Sequence, residues 1–297
     1  MSRDHPLKVV PGSYRLVDPG ALALGEKFQG YALWHHLHYE ARFALFGTTA
    51  IILPFGDPYH GLPSATTFTT QRATATGVNA VFTWSEAPSG FDAPLNLFGD
   101  ASFRGAMPIV RLNGTDEEAD SLDAPFFTFS SGAFSIACSV YLVNATSRTI
   151  ISKWDETTGA EVREWALQLD GSGRLEGVVY DETTDTQIAR RYSVALTLNT
   201  WYHIVMTYAG GTAATDIKLY LDGVQVDDVT SQAGPITDMR DTASLVRLGM
   251  VRGTAAQARF FSGRMAGASL GTLLVNAEAT ADQAARDYNM HRRALAL

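Results

Sequence analysis

Phe134, Ile136, Cys138, Val140 and Leu142 alternate with Ser135, Ala137, Ser139 and Tyr141. That period of two predicts a strand with one face turned to a core. Similar runs follow in series: Trp165-Leu167-Leu169, residues 175–180, residues 201–208, Ile217-Leu219-Leu221, residues 245–250 and residues 259–266. Two of the intervals, Asp170-Gly171-Ser172-Gly173 and Asp222-Gly223, are short turns of the kind that accept positive φ. Many strands joined by short turns specify an all-β sandwich or barrel. The chain then changes period. Thr280 and Gln283 stand at capping-box spacing, and the Ala-rich sequence after them predicts a C-terminal helix.

The first third has a different texture. Residues 1–30 are punctuated by Pro6, Pro11-Gly12, Pro19-Gly20 and Gly25 and sustain no period. They read as an extended N-terminal arm lying along a neighbour, or as a disordered tail; composition favours the two equally. Residues 31–106 are expected to form a small β-rich anchoring region. Residues 31–52 favour strands by alternation, with a helix over 33–45 as the alternative. Val81-Phe82-Thr83-Trp84 suits a strand, and residues 91–103 form a Pro- and Gly-rich connector.

The bulk chemistry narrows the partners. The 297 residues are 46% hydrophobic and 18% charged, with a net charge of −8. An acidic chain is a poor match for nucleic acid or an anionic membrane, both of which need a basic surface. No stretch approaches the ~20 apolar residues of a membrane span. The N-terminus lacks the apolar core of a secretory signal. A single cysteine, Cys138, allows no intrachain disulfide and suits synthesis in a reducing compartment, the host cytoplasm in the reading adopted below.

Four segments carry a family resemblance. Val110-Arg111-Leu112-Asn113-Gly114-Thr115 leads through an acidic stretch to Phe134-Ser135-Ile136. Ile150-Ile151-Ser152-Lys153-Trp154-Asp155 precedes Arg163-Glu164-Trp165-Ala166-Leu167. Trp201-Tyr202-His203-Ile204-Val205-Met206-Thr207-Tyr208 precedes Leu219-Tyr220-Leu221-Asp222-Gly223-Val224-Gln225-Val226, and Phe261-Ser262-Gly263-Arg264-Met265-Ala266-Gly267 closes the set. In this order they resemble the laminin-G-like branch of the concanavalin A-like lectin/glucanase superfamily, over about residues 107–297. The resemblance implies a two-sheet antiparallel β-sandwich jelly roll. The tryptophan that the family often places near Cys138-Ser139 is missing here, which implies different core packing at that point.

Each candidate chemistry has a plain structural role as its alternative. Glucanases of this fold need two carboxyls about 5–5.5 Å apart for retaining hydrolysis. Glu118 and Asp120 lie in an acidic run with turn character, and Glu161 and Glu164 would face opposite sides of a strand, so no catalytic residue is assigned. The resemblance also implies a Ca²⁺ at the sandwich rim, for which Asp116, Glu117, Glu118 and Asp120 offer oxygens; solvated acidic loops are the simpler reading. His36 and His38, in the cluster with His35 and Glu40, could collect a transition metal around an oligomer axis. Cys138 and His203 are read as core and structural residues.

Carbohydrate binding would use aromatics beside acidic rim residues. Trp154 with Asp155, and Tyr180 with Asp181, are the candidates, burial of both aromatics at strand ends being the equal alternative.

These readings combine into a non-enzymatic virion structural protein. It would be a phage capsid-decoration or tail/fibre-associated subunit whose residues 1–106 contact other virion proteins. The jelly roll would be displayed as a homo-oligomer and take host-surface glycans. A carbohydrate-binding module outside a virion, or a glycan hydrolase or lyase, are the alternatives. Laminin-G-like domains commonly work outside cells, and release within a particle supplies an exit that needs no signal.

Overall fold

The computed structural model describes residues 39–47, 49–54, 67–72, 80–86, 88, 90–92, 109–130, 132–157, 161–253, 259–267 and 271–295. The predicted arm, residues 1–30, and the histidines His36 and His38 lie outside them. No helix among the described residues is long and apolar enough to cross a membrane.

The described residues form two antiparallel sheets. The first contains β1 (Ile51–Leu53), β3 (Gln71–Arg72), β5 (Gly90–Asp92), β6 (Ile109–Asn113), β8 (Phe134–Asn144), β13 (Trp201–Tyr208), β14 (Ile217–Leu221), β15 (Val224–Gln225), β18 (Ser262–Ala266) and β19 (Thr272–Val275). The second runs in the order β16 (Val229–Ala233), β12 (Thr186–Ala195), β11 (Arg174–Asp181), β10 (Val162–Leu169), β9 (Arg148–Asp155), β17 (Val246–Leu248), β7 (Ala119–Ser121), β4 (Val81–Trp84) and β2 (Thr67–Thr69). Residues 39–46 form helix α1, and α2 spans Ala281–Leu295.

The core lies between the sheets and takes the face that the alternation assigned. Ile136, Cys138, Val140, Leu167, Leu169, Val179, Ile204, Leu219 and Leu248 meet there in one buried cluster. Ile236 and Met239 close it from the loop after β16. Asp181 secures that loop: its carboxylate accepts the backbone N–H groups of Thr237 and Asp238 at 2.8 and 3.2 Å. Cys138 is a buried core thiol, as expected, and burial pushes its pKa up to about 12.

The turns behave as their residues dictate. Asp222 and Gly223 both have positive φ, 52° and 81°, the geometry a two-residue hairpin requires. Gly177 has another purpose. It faces the core of β11, where an added Cβ would sit 2.9 Å from Met206 Sδ and 3.2 Å from Ile217 Cγ2, so the sheets approach closely there. At the start of α2, Gln283 N–H donates to Thr280 Oγ1 and Thr280 N–H to Gln283 Oε1, at 3.2 and 2.8 Å. The capping box forms as its spacing predicts.

Two expectations change. β8 is not half-buried: Ser135, Ala137 and Ser139, on its second face, are as buried as the core face. Helices cover that face. Tyr39 and Phe46 of α1 and Ala284 of α2 pack with Ala137, Val205, Tyr220 and Leu273 in a second apolar cluster. Each large aliphatic buried this way contributes about 1.5–3 kcal/mol. Residues 31–106, in their described part, are likewise not a unit beside the jelly roll. β1 pairs with β19, β5 with β6 and β4 with β7, so these strands extend the two sheets. The physical reason is edge completion: open sheet edges hold unpaired backbone groups, and the preceding segment supplies partners.

Candidate functional site

With α1 and α2 packed on the first sheet, the outer face of the second sheet lies on the opposite side of the sandwich from both helices. Pleating decides what it carries. Trp165 and Leu167 of β10 point to the core, so Ala166 and Gln168 point out. In β11, Glu176, Val178 and Tyr180 point out, and the register sets them opposite Arg191, Ala189 and Gln187 of β12. Trp154 of β9 lies on the same face.

These side chains line a cleft of about 330 Å³. Its apolar floor is Trp154, Ala166, Val178 and Val251. Polar groups stand around it: Glu156, Gln168, Glu176 and Gln187, with Arg259 from the loop before β18 and Asp170-Gly171 from the turn that joins β10 to β11. Several are wired together. Arg259 NH1 donates to Gln168 Oε1 at 2.9 Å, and Gln168 Nε2 donates to Glu176 Oε2 at 3.0 Å. Ser231 Oγ donates to Glu176 Oε1 at 2.6 Å. Trp154 Nε1 donates to Glu156 Oε1 at 2.8 Å. An apolar floor ringed by fixed donors and acceptors is the common form of a small-ligand site.

The sequence candidates divide. Trp154 reaches the cleft, but at 6% exposure it is floor rather than a projecting platform. Tyr180 packs edge-on against it, 5.3 Å between ring centroids, and carries Arg163 over its own ring at 4.0 Å. Asp181 points the other way, into the sandwich. Burial would raise its pKa, but the N–H groups of Thr237, Thr183 and Asp238 more than offset this and hold it at about 2. It is a loop clamp and not a ligand contact, because successive residues of a strand face opposite sides.

Asp155 pairs with Arg247 NH2 at 3.1 Å. The same buried guanidinium donates to the carbonyl of Trp154 at 3.0 Å and lies 3.8 Å from Glu118. Arg247 is also the cross-strand partner of Asp120. The expected calcium ligands Asp116, Glu118 and Asp120 therefore do not converge as a set. Asp116 turns to Asn113 Nδ2 at 2.8 Å, and an arginine supplies the positive charge beside the other two. Asp120 lies within β7 rather than in a turn, and Glu118 immediately precedes that strand. Burial pushes the Glu118 pKa up to about 7, against the opposing pull of Arg247. Glu164 sits at a register shift in β10 and pairs with the buried Lys153 at 2.8 Å, which also meets Asp123 and Asp241 at 2.9 and 3.1 Å.

A second buried polar group lies under the helices. Asp287 of α2 accepts Arg42 Nε and NH2 at 2.9 and 3.1 Å and meets His203 Nε2 at 3.0 Å. Ser139 Oγ and His291 Nδ1 share a hydrogen bond of 2.6 Å. His203, expected to be a satisfied structural histidine, is structural, but its Nδ1 has no hydrogen-bond partner. Ligand atoms of His203, Asp287 and His291 lie within 4.8 Å of one another, the spacing of a metal centre. The donor set does not fit one: both Asp287 oxygens are taken by Arg42, whose charge already balances the carboxylate. Among the described residues the histidines that meet are thus His203 and His291.

Periodicity did not identify Gln168, Glu176 or Arg259. The signal for the first two was present, since they occupy the polar phase of strands whose apolar phase was read. Arg259 comes from a connection and had no such signal. Asp287 and His291 had a weaker one, their i,i+4 spacing on one helix face.

Comparison with known proteins places the fold. The family model described as the Concanavalin A-like lectin/glucanases superfamily matches residues 115–272. No curated protein matches the sequence. Among solved structures, the botulinum neurotoxin serotype G binding domain is similar at 12% identity and TM-score 0.51, covering 82% of this chain and 51% of that one. The binding domain of Paraclostridial mosquitocidal protein 1 is similar at 14% identity and TM-score 0.50, covering 76% of this chain and 52% of that one. This chain spans about half the length of each, and at these identities the likeness is one of fold.

Proposed function

The chain belongs to the concanavalin A-like lectin/glucanase superfamily, and on that premise we propose that it is a non-catalytic carbohydrate-binding protein whose ligand occupies the cleft on the second sheet. The observation that carries this is the wired lattice of Arg259, Gln168, Glu176 and Ser231 beside the apolar floor of Trp154, Ala166, Val178 and Val251. Sugars present alternating apolar C–H faces and hydroxyl rims, and such a lining answers both. The carboxylates are held as acceptors by internal donors, which orients them toward hydroxyl groups.

Gly171 supplies a clean test. Its Cβ position meets only Ser147 Oγ, at 3.7 Å, so a larger side chain there enters the cleft without displacing the fold. Wild-type protein is expected to retain a subset of an immobilised glycan panel, and Gly171→Phe to lose it at unchanged melting temperature. Retention of the same glycans by the variant rejects this cleft.

Display on a virion, in a capsid-decoration or tail-associated position, is the setting we propose for this binding. It is supported by the Pro- and Gly-punctuated residues 1–30, suited to lie along a neighbouring subunit. Mass spectrometry of purified particles tests it, and absence of the chain from them overturns it.

A further inference from the structure

Lys153 is an amine in the interior. On β9 it lies directly across from Val246 and Trp165, both core residues, and its side chain is 0% exposed. An ammonium placed there is costly unless carboxylates surround it. Three do, each from a different element. Glu164 Oε1 of β10 stands 2.8 Å from Nζ, Asp123 Oδ1 of the β7–β8 connection 2.9 Å, and Asp241 Oδ1 of the loop after β16 3.1 Å.

The three carboxylates are not equivalent. Asp241 is half-exposed, and its Oδ1 also accepts from Thr128 Oγ1 at 3.0 Å, as in an ordinary surface contact. Asp123 Oδ1 is buried, and close as Nζ is, no hydrogen bond is aligned on it. Glu164 is fully buried. Its Oε1 accepts Thr242 N–H and Oγ1–H, both at 2.7 Å, while its Oε2 has no hydrogen-bond partner. Burial lifts its pKa to about 7 against the pull of Lys153, so it can take up or release a proton near neutral pH.

From this juxtaposition we propose that Lys153 and Asp123 condense into an intramolecular amide, with Glu164 carrying the protons. Burial alone would favour the neutral amine, but the carboxylates, Glu164 foremost, keep Lys153 an ammonium at rest. The ammonium first gives one proton to Glu164, which frees the Nζ lone pair. That pair attacks Asp123 Cγ: an Nζ–Cγ bond forms and the carbonyl electron pair moves onto oxygen. Glu164 hands its proton to a carboxyl oxygen, takes a second from the nitrogen and passes it to the same oxygen. The Cγ–O bond breaks and water leaves. Two ammonium protons thus depart with one carboxylate oxygen and the third stays on the amide, so atoms and charge balance without a co-reactant. The reaction occurs once per molecule and can be slow. It replaces a buried ion pair with a neutral group. It also ties β9 to the β7–β8 connection in a chain whose single cysteine allows no intrachain disulfide, and it restricts the unfolded state as a disulfide would.

Intact mass spectrometry of the full chain under denaturing conditions decides it. Wild-type protein is expected to weigh one water less than its sequence. Trypsin should fail to cut after Lys153 and should release a branched peptide that joins Lys153 to Asp123. Lys153→Arg should show the full mass. Glu164→Gln should stay largely unlinked at wild-type secondary structure, read by circular dichroism. A wild-type mass equal to that of the sequence overturns the proposal, whatever the variants do. So does a water deficit that persists in Lys153→Arg, which would be a succinimide at Asp170-Gly171 or Asp222-Gly223. A branch at Asp241 overturns the choice of Asp123, and full linkage in Glu164→Gln overturns the role of Glu164.

Discussion

Arg42 and Asp287 face each other through two hydrogen bonds, Nε to Oδ1 at 2.9 Å and NH2 to Oδ2 at 3.1 Å, and neither side chain is exposed. They lie 245 positions apart in sequence and fasten α1 to α2 over the first sheet. Arg42 NH1 also donates to the carbonyl of Gly271 at 2.7 Å, beside β19. A buried pair is a poor measure of net stability, but breaking it is severe because one charge is left alone.

Arg42→Met should therefore destabilise the protein by about 3–5 kcal/mol. The double variant Arg42→Met with Asp287→Leu should lose less than Arg42→Met alone, since no uncompensated carboxylate remains. Urea denaturation of the set reads this; a double variant that loses the sum of the two single losses would refute the coupling.

The same pair predicts an acid limb. Burial would raise the Asp287 pKa, but Arg42 and the neighbouring histidines outweigh it and hold the carboxyl below its ordinary value. A group with a depressed folded-state pKa contributes stability above its unfolded value, about 3.9, and loses it as pH falls through the folded one. Denaturation midpoints should drop below about pH 4 in the wild type. In Asp287→Asn the slope there should be shallower, from a lower starting stability.

Glu118 carries the opposite sign. Its pKa is raised to about 7, so its contribution is complete below the ordinary carboxylate value and is lost as pH rises through about 7. Glu118→Gln should raise stability at pH 8 by about 1–2 kcal/mol, discounted for partial solvent access, and change little at pH 4.5. Thermal melts at the two pH values check it. An equal shift at both would place the effect in packing instead.

Gly177→Ala tests the close approach of the sheets. The added methyl would press on Met206, Ile217 and Leu219 at 2.9–3.2 Å, so a loss of about 1–3 kcal/mol is expected. Met206→Ala should relieve part of it, which a double-mutant cycle measures.

Much of the fold was legible because it is written in local periods. Phe134, Ile136 and Cys138 announce which face of β8 meets the core whatever lies beyond it. Thr280 and Gln283 announce the start of α2 within one helical turn. The site was legible by half. The alternation that turns Leu167 and Val179 to the core also turns Gln168 and Val178 to the outer face, but the gathering of Trp154, Gln168, Glu176 and Arg259 around one cleft depends on strand order. Tyr180 and Asp181 were paired in the sequence reading but part in the structure, because neighbours in a strand face opposite ways.

What the sequence determined by itself is therefore the succession of strands, the positive-φ turns and the capped terminal helix, all set by interactions within a few residues. What only the tertiary structure decided is what covers each face. Ser139 and His203 occupy the polar phase of their strands, which in isolation points to water. They are buried because α1 and α2 dock there, bringing Arg42, Asp287 and His291 to meet them. Periodicity says which residues share a face; only long-range packing says whether that face meets solvent, a helix or a ligand.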